Sequence, residues 1–175
     1  MPGPEAVGMG GRMTAGRGPG APPPRPALSK QVILLVEDND DDAELTVSAF
    51  ARVRIANRIV RARDGVEALD YLLGRGEHAG RDANEVPAVV LLDLNMPRAS
   101  GLDVLKAIRA DERIKHVPIV ILTSSNEDSD RLAAYDHHAN SYVCKPVDYD
   151  RFLAASRELG LYWLVLNEPP PHRGG

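Results

Sequence analysis

Residues 88–97 read Ala-Val-Val-Leu-Leu-Asp-Leu-Asn-Met-Pro. The apolar run Ala88–Leu92 stops at an acid, Asp93, and Pro87 and Pro97 stand outside it. A short, unbroken apolar run between prolines fits a strand covered on both faces. The pattern recurs. Val32–Val36 stops at Glu37-Asp38, and Val117–Leu122 stops at Thr123-Ser124-Ser125. Two shorter runs complete the set: Ile59–Ala62, and Tyr142–Cys144 before Lys145-Pro146.

Helical patterns separate the runs. Ala43, Leu45, Val47, Ala49 and Phe50 follow the capping residues Asn39 and Asp40. Val66, Leu69, Leu72 and Leu73 follow the Asp64-Gly65 turn, and Gly74–Pro87 reads as a polar loop. Leu102, Leu105 and Ile108 mark a third helix, and Leu132 to Tyr135 a fourth. In the last, Phe152, Leu159, Trp163 and Leu166 form the expected core stripe, with Leu161, Leu164 and Val165 outside it. Strand and helix alternate five times, which predicts an α/β fold with a parallel sheet and helices on both faces. Sites in such sheets form beyond the carboxyl ends of the strands.

Composition narrows the functional classes. The 175 residues carry 21 Lys+Arg against 25 Asp+Glu, a net charge of −4, which is not the footprint of a nucleic-acid binder. One cysteine, Cys144, excludes an internal disulfide and a zinc site built on cysteines; in its apolar strand it reads as an inert core thiol. No run is long enough to span a bilayer and no signal peptide is visible, so a cytoplasmic protein is expected. Residues 1–29 hold 7 Gly and 7 Pro and read as a disordered leader; Met9 and Met13 are alternative starts. The expected division is a leader at 1–29, a domain at 30–160, and an extension at 161–175, apolar at first and frayed from Pro169.

The strand ends carry one chemistry. Glu37, Asp38 and Asp93 would converge with Thr123 and Lys145. Three carboxylates within about 4 Å repel by ~1 kcal/mol per pair in water, and more as water leaves. Such a cluster invites a divalent cation, and oxygen ligands alone suit Mg²⁺ or Mn²⁺. An ammonium and a hydroxyl beside the metal could hold phosphoryl oxygens, with one carboxylate as nucleophile. The acids Asp40, Asp41, Asp42 and Glu44 read as a solvated helix start. His137-His138 read as surface and turn residues.

Val32–Asp38, Leu91–Pro97, Gly101, Leu122–Ser125 and Tyr142–Pro146 together resemble a bacterial response-regulator receiver domain over about residues 31–160. The segments 37–45, 64–73 and 74–87, with the run from Leu161 to Pro170, resemble the single-domain regulators partnered with bacteriophytochrome histidine kinases. The resemblance implies a five-stranded sheet in the order 2-1-3-4-5. It implies Asp93 as phosphoacceptor, with Mg²⁺ (Mn²⁺ possible) held by Asp38, Asp93, the Asn95 carbonyl and, through water, Glu37. Thr123 and Lys145 would bind the phosphoryl group, with a cis peptide from Lys145 to Pro146. Thr123 and Tyr142 would switch, while Asn95, Ser124 and Ser125 would tune the lifetime of the phosphoryl group. The family's turn before the fifth strand usually carries Gly; here His138 stands there, among the side chains that tolerate a left-handed backbone.

The expected partners are a sensor histidine kinase, a second copy of the chain through Leu161, Trp163, Leu164 and Val165, and a downstream protein of unknown identity. Nucleic acid and membrane are not among them. Catalysis is expected only of the protein's own phosphoryl transfer and dephosphorylation. Three other roles are open: a phosphate sink, a substrate that the kinase dephosphorylates, or an aspartyl-phosphate phosphatase. The last wants a second Asp where Asn95 stands. A flavin binder is disfavoured because Glu37–Asp42 would repel a phosphate.

Overall fold

The computed structural model describes residues 31–97, 99–145 and 148–167. The leader, the Pro169–Gly175 tail and the Lys145–Pro146 peptide therefore lie outside the described residues. The strands are β1 (Ile33–Val36), β2 (Ile59–Ala62), β3 (Val89–Leu92), β4 (Ile119–Thr123) and β5 (Ser141–Cys144). They form one parallel sheet in the order β2-β1-β3-β4-β5, as expected. The helices are α1 (Asp40–Arg52), α2 (Gly65–Leu73), α3 (Gly101–Ala110), α4 (Asp128–Asp136) and α5 (Tyr149–Gly160); Leu161–Leu166 continues α5 as a π-helix.

Strand pleating sends alternate side chains to two cores. Leu34, Val36, Val90, Leu92, Ile119 and Ile121 pack with α2 and α3. Ile33, Leu35, Val89, Leu91, Val120 and Leu122 pack with α1, α5 and the π-helix. This double cover explains the unbroken apolar runs. Three helices start on caps the sequence shows: Asn39, Asp64 and Ser100 each accept a backbone N–H from three residues on. His138 has φ 62°, as expected of the turn before β5. The loop 74–87 contains a 3₁₀ turn, Gly76–His78, and Arg81 stacks 4.2 Å over the Tyr71 ring.

Two expectations fail. Leu164 is buried (5% exposed) and Leu166 is exposed (63%), the reverse of the expected stripe. The buried seam of α5 runs through Phe152, Ser156 and Gly160, and then Trp163 and Leu164. Its middle positions are small because the helix approaches closely there. A Cβ on Gly160 would lie 2.1 Å from Ile55 Cδ1. Apolar spacing therefore placed Phe152 and Trp163 in the core correctly and failed only in the last turn, at Leu164 and Leu166. Trp163 and Leu164, named for a dimer face, are core residues, which leaves Leu161 and Val165 on the surface. Cys144 is the second failure. Strand β5 is a sheet edge and only half-buried, so the thiol is partly accessible and lies 3.4 Å from the Ser125 carbonyl.

Candidate functional site

The site lies where β1, β3, β4 and β5 end. Glu37 follows β1 and is buried; its backbone N–H donates to the Ala62 carbonyl, continuing the ladder with β2. Asp93 follows β3 and is buried, its N–H donating to the Val36 carbonyl. Parallel register thus sets the two acids side by side. Glu37, Asp38 and Asp93 each offer a carboxylate oxygen, all within 4.8 Å of one another.

Gly101 fixes the second wall. Its N–H donates to the Leu94 carbonyl, and a Cβ there would lie 2.1 Å from the Asp93 carbonyl oxygen. Only glycine lets the start of α3 press against the backbone of Asp93.

Lys145 reaches in from the end of β5. Its Nζ lies 2.5 Å from Glu37 Oε2, 2.8 Å from Asp42 Oδ2 and 3.7 Å from Asp93 Oδ2, with the side chain 12% exposed. Burial opposes the Lys145 charge, but the hydrogen bonds to Asp42 and Glu37 and the Asp93 charge outweigh it and raise its pKa above the ordinary lysine value. Burial likewise pushes the Glu37 carboxyl above its ordinary range, against the pull of Lys145. Asp42, expected on a solvated face, is instead a partner of this lysine. Its position two residues into α1, on the face turned to β5, is tertiary information that no motif carries.

Thr123 is fully buried at the end of β4, and its Oγ1 accepts hydrogen bonds from Asn95 Nδ2 (3.4 Å) and the Ser125 N–H (3.2 Å). The Asn95 N–H donates to Asp93 Oδ1 at 3.2 Å. Asn95 and Ser124 are exposed at the mouth. The Ser125 hydroxyl donates to Asp130 of α4 at 2.6 Å, and the Tyr142 hydroxyl donates to the Ser125 carbonyl at 3.2 Å. One loop therefore links the site residue Thr123 to α4 and to Tyr142 on β5.

The donor set suits Mg²⁺ or Mn²⁺: oxygen ligands only, from three carboxylates. This arrangement at the sheet edge is found together with a sequence match over residues 33–157 to the response regulator receiver domain. The chain belongs to the response-regulator receiver family.

Among curated members, the receiver is 42% identical over 139 residues to a probable methanogenesis regulatory protein, FilR2, of Methanothrix harundinacea (79% of this chain, 87% of that protein). It is 32% identical over 134 residues to response regulator Rcp1 of Synechocystis (77% of this chain, 89% of that protein). The solved Mn²⁺-bound form of Rcp1 superposes with a TM-score of 0.72 at 31% identity, covering 81% of this chain and 99% of that one. The bacteriophytochrome response regulator RtBRR gives a TM-score of 0.66 at 45% identity, covering 82% and 86%. Receivers of this family bind a divalent metal, and the acidic cluster has the composition to do so. Among the described residues no helix is long and apolar enough to cross a membrane.

Proposed function

We propose that this receiver accepts a phosphoryl group on Asp93 from a histidine kinase, in a reaction that requires Mg²⁺. The observation that carries the reading is the convergence of Glu37, Asp38 and Asp93 with Lys145 and Thr123 at one edge of the sheet. Glu37, Asp38 and Asp93 would hold the ion, which supplies charge neutralisation for the incoming phosphoryl oxygens. Asp93 attacks phosphorus, a P–O bond forms, the P–N bond of the phosphohistidine breaks, and its electron pair leaves with the imidazole. Lys145 needs to move only from 3.7 Å to contact distance to pair with the modified Asp93, and the Thr123 hydroxyl would donate to it.

Phosphorylation takes the Asp93 charge from −1 to about −2 and adds acceptor oxygens. Thr123 is the residue through which this reaches the Ser125 carbonyl, Tyr142 and α4, so the loop 123–127 is the two-state element. Asn95 and Ser124, exposed at the mouth, would set water access and the lifetime of the phosphoryl group. Output runs through protein contacts: Leu132 and Tyr135 on α4, and Leu161, Tyr162, Val165 and Leu166 after α5, are large apolar side chains on the surface. The second of these patches is the proposed dimer face. Similarity to the bacteriophytochrome response regulator RtBRR supports a phytochrome-type kinase as partner.

The test is intact-mass spectrometry after incubation with acetyl phosphate and Mg²⁺. A phosphate-sized gain is expected in the native chain, lost with chelator and in Asp93→Asn. No gain either with acetyl phosphate or with a phosphorylated phytochrome histidine kinase would overturn the reading.

A further inference from the structure

Arg61 stands in β2, opposite Leu35 of β1, and its side chain is 20% exposed. Its guanidinium crosses the end of β1. Nε donates to the Glu37 carbonyl at 2.9 Å, Nη2 to the Asp38 carbonyl at 3.0 Å, and Nη1 to the Asp40 carboxylate at 2.6 Å. A single rigid, planar fork thus grips the backbone of the two clustered acids that follow β1 and the residue that opens α1. It bonds the carbonyls of Glu37 and Asp38 and, in the observed geometry, leaves their carboxylates to the cluster. By charge alone, a guanidinium here works against a cation site.

We propose that Arg61 is a positioning residue for metal binding: it holds the Glu37-Asp38 peptides so that both carboxylates converge on Asp93. The inference rests on reading this cluster as the Mg²⁺ site. The two possible roles have opposite signs. If Arg61 acts only as a charge, its removal strengthens Mg²⁺ binding. If it positions the acids, removal weakens binding although a positive charge has gone.

The experiment is calorimetric Mg²⁺ titration of the full chain as native protein, Arg61→Met, Arg61→Lys, Arg109→Met and Asp38→Asn, each with a thermal melt. Arg109 supplies the control. It makes a comparable fork to the Lys115, Val117 and His138 backbone carbonyls at the opposite end of the sheet. Arg61→Met is expected to bind Mg²⁺ ~10-fold or more weakly, the usual range for residues that orient metal ligands. Arg61→Lys keeps the charge but cannot span two carbonyls, and is expected to weaken binding as well. Arg109→Met is expected to melt earlier with unchanged affinity. Tighter or unchanged binding in the folded Arg61 variants overturns the proposal, as does an equal loss in Arg109→Met. Should the native chain bind no Mg²⁺, or Asp38→Asn bind it equally well, the site reading fails and takes this inference with it.

Discussion

Replacing Gly101 by Ala tests how the fold holds Asp93, the proposed acceptor. The added Cβ would lie 2.1 Å from the Asp93 carbonyl oxygen and 2.8 Å from Leu94 Cα, where ordinary contact begins at 3.4 Å. The gap to be opened is 3.4 − 2.1 = 1.3 Å, and the atoms in the way are backbone. No side chain can swing aside, so α3 must move away from β3 or Asp93 must move with its strand. Overpacking of this kind costs ~1–3 kcal/mol. The better helix propensity of Ala returns at most ~1 kcal/mol, and less at the first helical position. A net loss of ~1–2 kcal/mol in urea unfolding is expected. The chemistry should suffer more, because a ~1 Å misplacement of a reacting group can cost ~10²-fold in rate. The assay is the initial rate of phosphorylation by acetyl phosphate, read by mass, alongside Gly65→Ala. A Cβ on Gly65 meets a side chain instead, Val104 Cγ2 at 2.4 Å, so that variant should lose stability and keep the rate. A Gly101→Ala protein phosphorylated at the native rate, or as stable as the native chain, would refute the reasoning.

Two further outcomes are expected. Leu164→Ala should cost ~2–5 kcal/mol as a buried truncation, while Leu166→Ala should stay within ~0.5 kcal/mol, both read from urea midpoints under monomeric conditions; equal effects would mean the last turn is packed differently. Glu37 has its pKa raised in the folded state, so the folded chain holds its proton more tightly than the unfolded one. The stability this gives is complete below the ordinary value of 4.5 and is lost as pH rises through the raised folded value. Without metal, native protein should therefore lose stability relative to Glu37→Gln as pH rises through this window, and Mg²⁺ affinity should rise over the same window; a pH-independent difference between the two melting curves would sink this.

The sheet was legible because its signal is local. Each strand that is buried on both faces must be apolar throughout, and each run ends where its chain leaves the core, so Asp93 and Glu37 sit one step past an unbroken run. The order of strands followed from the resemblance, whereas the gathering of Glu37, Asp38, Asp93 and Lys145 followed from their places at the strand ends, and the structure brings these four side chains to one sheet edge. The errors have two causes. Helical phase was read from large side chains, but the seam of α5 carries Ser156 and Gly160, chosen for close approach to Ile55 and invisible to a hydrophobic count. Cys144 was misplaced because apolar composition does not say that β5 is an edge.

Arg61 and Asp42 were missed for a deeper reason. Their partners lie 24 and 103 residues away for the Glu37 carbonyl and the Lys145 ammonium, respectively. A charged residue in a strand or in the first turn of a helix looks solvated until the fold brings its partner. Each ties a different pair of elements: Arg61 grips the backbone at the end of β1, and Asp42 on α1 draws the ammonium that β5 delivers. The acceptor edge is thus held by three independent restraints, a glycine contact, a guanidinium fork and a lysine shared among carboxylates. Only the last would have to rearrange when Asp93 gains charge, because Lys145 already bonds Glu37 and Asp42 and stands 3.7 Å from Asp93 Oδ2, so pairing with a phosphoryl oxygen requires its ammonium to shift. That division, fixed backbone with one mobile cation, lets the site change charge state without dismantling the strand ends that build it.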